Sequence, residues 1–347
     1  MRRTSRMGLV AAAALAGAWL AGTAAAQDSV TVSSWGGAYQ EAESKAVFAP
    51  TAKELNITIK EDTLTGLPDV RVQVEAGAVN WDIAELSSFE CVTGAKSNLF
   101  EKLDYSVIDK DGIDPKIATD YWIAGAIYYS TVLAWNKSKF KDNPPKTWAD
   151  FWDVEKYPGK RAMWNQPATM LELALMADGV APDKLYPLDI ERAFKKMREL
   201  KPHIAVWWTS GAQSAQILKD KEVEMVAIWN GRVSTIIKDG ADADFTFNQG
   251  LLDFNCLTIP RGSKRVALAQ KTIAKFLTPD IQANIPKYID YGPVNLKAFD
   301  TGKIAAGDAP KICSSPENAA IQATLDPFWW GENLTKVQEM WDEMIQE

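Results

Sequence analysis

Histidine is almost absent, with His203 the only one among 347 residues. A histidine-rich zinc site is therefore excluded, and any Ser-His-Asp triad would rest on this single residue. His203 follows Pro202 and precedes the apolar run Ile204 to Trp208, a setting that reads as a structural surface histidine. Cysteine is scarce as well. Cys91, Cys256 and Cys313 form an odd set, which permits at most one bridge within the chain and excludes a small disulfide-stapled scaffold. Neither a phosphate-cradling GxxxxGK(S/T) nor a GxSxG turn occurs. Carboxylates abound, but no spacing places two of them across a glycosidic bond. A secreted hydrolase using paired carboxylates stays as a rival reading on composition alone.

Basic runs and long apolar runs are also missing. Residues 8–22 are nearly all apolar or small, yet too short and too rich in alanine for a stable membrane span. With Arg2, Arg3 and Arg6 ahead and Ala24-Ala25-Ala26 behind, residues 1–26 read as a secretory signal cut after Ala26, which implies a periplasmic protein. No cysteine follows the cut, so a lipid anchor is not expected. The Arg2-Arg3 pair leaves the choice of export route open. Without these three arginines, 35 basic and 45 acidic residues remain, a net charge of −10. That balance argues against nucleic acid and anionic lipid as partners. The remaining 321 residues suffice for two lobes, and the 13 of the chain's 14 tryptophans that they contain need a home.

Strand-like and helix-like stretches alternate along the chain, the pattern of α/β layering. Val30-Thr31-Val32 reads as a first strand and Tyr39 onward as a helix, with Gly36 and Gly37 turning the chain between them. Asn56–Lys60 and Asp82–Leu86 read as strands. Val70, Val72 and Val74 alternate like a strand, but Pro68-Asp69 before them and Gly77 after them predict a helix. Residues 127–136 and 251–260 read as long strands, and the spacing of Leu334, Val337, Trp341 and Ile345 predicts a C-terminal helix. Successive strands end in polar and aromatic clusters: Ser33-Ser34-Trp35, Ser87-Ser88-Phe89, Trp164-Asn165-Gln166, Trp208-Thr209-Ser210-Gly211 and Trp229-Asn230-Gly231-Arg232. Ligands of open α/β sheets bind beyond such strand ends, so these clusters predict an aromatic-walled cleft for a small ligand. No cofactor or metal is expected.

The same residues carry a resemblance. "SWGGAYQEA", "WDIAEL", "TWADFWD", "WTSGAQ", "IWNGR" and "YGPVNLKAF", in this order, resemble the periplasmic solute-binding proteins of ABC importers, nearest to the spermidine/putrescine-binding branch. The resemblance implies a two-lobed α/β fold with crossover hinge strands, a ligand clamped between the lobes, and an inner-membrane ABC permease as partner of a monomeric, non-enzymatic protein. It would assign residues 27–130 and 256–300 to lobe one and 131–255 to lobe two, with the helices of 301–347 returning to lobe two. The crossovers would fall near Tyr128–Asn136 and Asp253–Ile259. Ser34, Trp35, Gly36, Ser87 and Ser88 would line one side of the cleft, and Trp208, Ser210 and Gly211 the other. Phe89, Tyr128 and Trp229 match positions where the family stacks its ligands.

One departure bears on the ligand. Gln166, Thr169 and Asn255 stand where the polyamine-binding relatives have carboxylates, and every buried ammonium needs an acid or an aromatic face. Asp253 lies two residues before Asn255 and shares its strand face. Arg232 follows the "WNG" strand end and suits a bidentate grip on a carboxylate, or else pairs with an acid of its own lobe. Glu90 is a second candidate for an amine, or a solvated helix-start acid. These residues point to a small amine-bearing solute, either an amino acid such as a γ-amino acid or a polyamine. Tyr128-Tyr129 raises a ferric-ion carrier, but adjacent strand residues point to opposite faces and cannot chelate together.

Overall fold

Alternating valines start the sheet. Val30 and Val32 are buried while Thr31 between them is half-buried, and they lie in strand β1 (Ser29–Ser34). The computed structural model of the protein describes residues 28–347, so the expected signal segment lies outside the described residues. Eight further strands follow: β2 (Thr58–Thr63), β3 (Ile83–Ser87), β4 (Trp122–Asn136), β5 (Arg161–Trp164), β6 (Ile204–Trp208), β7 (Met225–Trp229), β8 (Ala243–Thr258) and β9 (Ala323–Thr324). They form one mixed sheet in the order β2-β1-β3-β8-β4-β7-β5-β6, with β9 beside β8. Strands β1, β2 and β3 pair in parallel on one side, as do β5, β6 and β7 on the other. The long antiparallel pair β4 and β8 runs through both halves, and its register slips between Ala124 and Tyr128 and again between Thr131 and Leu133.

Helices cover both faces of this sheet. In chain order they are α1 (Gly37–Glu43), α2 (Ala49–Leu55), α3 (Leu67–Glu75), α4 (Ser88–Lys96), α5 (Trp148–Trp152), α6 (Pro167–Ala177) and α7 (Ile190–Leu200). Then come α8 (Gly211–Lys219), α9 (Asn230–Lys238), α10 (Val266–Phe276), α11 (Pro279–Gln282), α12 (Pro316–Ala319) and α13 (Pro327–Gln346). The valine-rich stretch around residue 72 is helical as expected: Val70 is buried while Val72 is 67% exposed. Strand β2 starts later than the expected Asn56, because Asn56 adopts the left-handed conformation (φ 53°) that ends α2. Strand β8 starts eight residues before the expected Leu251, since its first half pairs with β4 from Leu133 to Asn136.

Most tryptophans go to the core. Trp122, Trp148, Trp208, Trp330 and Trp341 are fully buried. The long helix α13 fastens onto several elements: Trp330 Nε1 donates to Glu172 of α6, Trp341 Nε1 donates to Asn165, and Glu332 pairs with Lys96 of α4. Cys91 of α4 and Cys256 of β8 form a disulfide, and Cys313 is free and buried. Among the described residues no helix is long and apolar enough to cross a membrane, and no group of three or more His, Cys, Asp or Glu could hold a metal ion.

Candidate ligand-binding site

Strand register decides which side chains share a wall. Ser87 lies opposite Asn255, and Tyr129 lies opposite Asp253. Side chains alternate along each strand, so Glu85, Ser87, Tyr129, Asp253 and Asn255 stand on one face, and Tyr128 and Phe254 on the other. Asp253 is 2% exposed. The Tyr129 hydroxyl donates to its Oδ2 at 2.6 Å, and the Phe254 N–H donates to its Oδ1 at 2.8 Å. Burial pushes its pKa up to about 6, against the lowering effect of Tyr129 and the neighbouring Ser88 hydroxyl. No basic group pairs with Asp253 within 4.0 Å among the described residues.

Arg232 enters from the first turn of α9, directly after β7. It is half-buried, its Nε is sealed from solvent without a hydrogen-bond partner, and no acid lies within 4.0 Å among the described residues. The alternative of an ion pair inside its own lobe is therefore not realised. Its neighbour is the Tyr291 hydroxyl, whose pKa burial pushes up to about 12 and Arg232 pulls back. Two glycines make room for this arrangement. A Cβ at Gly211 would sit 2.7 Å from Arg232 Nε and 2.9 Å from the Trp229 ring, and one at Gly231 would sit 2.5 Å from the Tyr291 ring. An aromatic chain then links the two charges. Tyr129 stands edge-on to Tyr291 (6.4 Å between centroids) and to Trp229 (6.2 Å).

Among the described residues, two further sealed tryptophan donors, Trp35 Nε1 and Trp229 Nε1, have no acceptor. Of the residues singled out in the sequence, Arg232, Asp253, Trp229, Ser88 and Gly211 thus gather around the tyrosine pair. Others are engaged elsewhere. Trp208 is fully buried, stacks on Trp164 and donates its Nε1 to Ala227 O at 3.0 Å. Ser210 is exposed and caps α8 by accepting from the Gln213 N–H. Ser87 caps α4, and its hydroxyl donates to Glu90 Oε2 at 2.6 Å. Glu90 is a helix-start acid, but not a solvated one, because it also accepts from the Leu67 N–H.

Phe89 packs into the core shared with α13. Tyr128 meets Phe254 edge-on at 6.1 Å on the far face, while the tyrosine beside Asp253 is its neighbour Tyr129. The opposed faces of the two tyrosines also remove the ferric-ion chelate. Gly36 donates its N–H to Gln40 and, with Gly37, lines an open surface hollow of about 420 Å³. Gln166 is half-buried at the N-terminus of α6, where Thr169 takes a left-handed φ of 78°. Ser34 and Asn255 both turn to a buried pair of glutamates. Tyr39, Tyr129 and Tyr291 carry much of the wall, although the sequence presents Tyr39 only as a helix start and Tyr129 only as half of a metal-chelating pair. Tyr291 opens "YGPVNLKAF", which was the available signal.

Comparison with known proteins fits this geometry. Residues 46–312 match the model of the bacterial extracellular solute-binding protein family. The chain belongs to that family. This solute-binding protein is 32% identical to the gamma-aminobutyric acid-binding protein of Pseudomonas aeruginosa, over 93% of this chain and 94% of that one. It is 27% identical to the spermidine/putrescine-binding periplasmic protein of Escherichia coli K12, over 59% and 57% of the two chains. Among solved structures, an ABC transporter substrate-binding protein from Bradyrhizobium japonicum USDA 110 superposes with a TM-score of 0.89 at 45% identity, covering 92% of this chain and all of that one. The Atu4243-GABA receptor superposes with a TM-score of 0.83 at 33% identity, covering 92% and 98%. The fold is thus that of the two-lobed periplasmic binding proteins, with β4 and β8 as the strands common to both halves, and the protein is the substrate-binding component of an ABC transporter.

Proposed function

We propose that this solute-binding protein captures, in the periplasm, a small zwitterion whose ammonium and carboxylate are separated by a short chain, such as γ-aminobutyric acid. It hands this solute unchanged to a membrane permease. Arg232 grips the carboxylate, Asp253 takes the ammonium, and Trp229, Tyr129 and Tyr291 cover the methylenes between them. One observation carries the reading. A buried acid and a half-buried arginine sit along one chain of aromatic rings, yet neither has an ion-pair partner among the described residues. Buried charges left unpaired are costly, and a ligand with both charges would satisfy the two at once. The relatives named for gamma-aminobutyric acid support this choice. A polyamine offers only ammonium groups, which Arg232 would repel.

Calorimetry of the wild type at pH 7 with γ-aminobutyric acid, putrescine and butyric acid tests the reading. The amino acid should bind at least about 30-fold more tightly than either comparator, roughly 2 kcal/mol. Putrescine binding as tightly as the amino acid would return the polyamine reading to first place.

A further inference from the structure

Two glutamates lie buried behind the wall. Glu43 of α1 is 4% exposed and Glu85 of β3 is 1% exposed. The Ser34 hydroxyl stands 2.5 Å from Glu43 Oε2 and 2.9 Å from Glu85 Oε2. One hydroxyl carries one hydrogen and an ionised carboxylate only accepts, so both contacts cannot be hydrogen bonds to ionised acids. One of the two glutamates therefore keeps a proton. Glu85 has the better supply of donors: the Tyr39 hydroxyl at 2.6 Å and the Asn255 amide at 2.5 Å both reach its Oε1. Burial, and then the neighbouring Glu85 charge, push the Glu43 pKa well above the usual carboxyl range. Ser34 from β1, Tyr39 from α1 and Asn255 from β8 face the pair, and none of them is a cation.

Glu85 in turn fixes an amide. Because the carboxylate only accepts, Asn255 must turn its Nδ2 toward Glu85 and its carbonyl Oδ1 away. That oxygen accepts no hydrogen bond among the described residues and is not sealed from solvent. Asn255 shares its strand face with Asp253, two residues earlier.

We infer that Glu85 is a positioning residue: it orients the Asn255 amide so that its carbonyl, together with the Asp253 carboxylate, receives the ligand's ammonium. Glu43 holds the proton that leaves Glu85 ionised for this task. The inference rests on the amine-bearing ligand proposed above.

Calorimetry with γ-aminobutyric acid as probe, on four variants, provides the test. Glu85→Gln can donate to Asn255 and release its orientation, so binding should weaken about fivefold or more. In an Asn255→Ala background the same change should add nothing, because the residue it acts through is gone. Glu43→Gln mimics the protonated acid and should retain binding. Thermal unfolding supplies a ligand-free arm. An acid with a raised folded pKa must take up a proton on folding, at a cost that grows as pH rises above its unfolded value. Glu43→Gln removes that cost and should raise the midpoint at pH 8. Burial raises the Glu85 pKa too, but Glu85→Gln also takes away the charged acceptor of the Tyr39 hydroxyl and the Asn255 amide, so it should lower the midpoint. Unaltered binding by Glu85→Gln, independent losses in the double variant, or equal midpoint shifts for the two glutamine variants would each overturn the inference. If the wild type binds no γ-aminobutyric acid, the ligand reading fails instead, and the unfolding arm alone decides the role of the acid pair.

Discussion

With Asp253 as the proposed ammonium partner, ligand affinity should depend on pH. Only its ionised form holds an ammonium, and burial raises its pKa to about 6 in the ligand-free protein. Affinity for γ-aminobutyric acid should therefore be nearly full at pH 7 and fall about tenfold by pH 5, as protonation competes with the ligand. Calorimetry across this range should show the loss, and Asp253→Asn should remove the slope along with most of the affinity. A flat wild-type profile would place the ammonium elsewhere. Asp253 and Arg232 are legible in the sequence because strand alternation and a strand-end arginine are local patterns. Tyr129 and Tyr291 are not, since the β4–β8 register chooses between Tyr128 and Tyr129, and Tyr291 arrives from far along the chain. Ser34 stands at a strand end and Asn255 on the strand face of Asp253, but the contacts that occupy them come from Glu43 and Glu85, which no sequence spacing joins.

At the scale of elements, strand ends and helix starts set the site, and one covalent link secures them. The disulfide of Cys91 and Cys256 ties α4, which begins at Ser88, to β8, which carries Asp253 and Asn255. It closes a loop of 165 residues, so it restricts the unfolded chain strongly. A double alanine variant should lose about 2–5 kcal/mol of stability in denaturant titration. Wild type under reductant should move toward the variant's midpoint, and an unchanged midpoint in both would contradict a stabilising link. The alternation of strands and helices, including the helix around Val70, is readable from periodicity and punctuation. Strand limits are less so, because β2 waits for the left-handed turn at Asn56 and β8 extends wherever β4 offers a partner. The cysteine pairing is equally hidden, as three cysteines permit three pairings and only the approach of α4 to β8 selects one.

In the whole molecule, two sheet halves share the strands β4 and β8, and the candidate site lies along that shared pair. Asp253 and Tyr129 belong to the crossover strands, whereas Arg232 and Trp229 follow β7 and Tyr291 comes from the segment before residue 292. Closure of such lobes around a ligand brings opposite walls together, and a ligand with two charges can hold both walls at once. The most direct test is calorimetry of Arg232→Ala with γ-aminobutyric acid at pH 7. Breaking one side of a desolvated charge pair costs about 2–5 kcal/mol, so affinity should fall at least about 30-fold relative to wild type. Unchanged or tighter binding would contradict the assignment of Arg232 to the ligand's carboxylate.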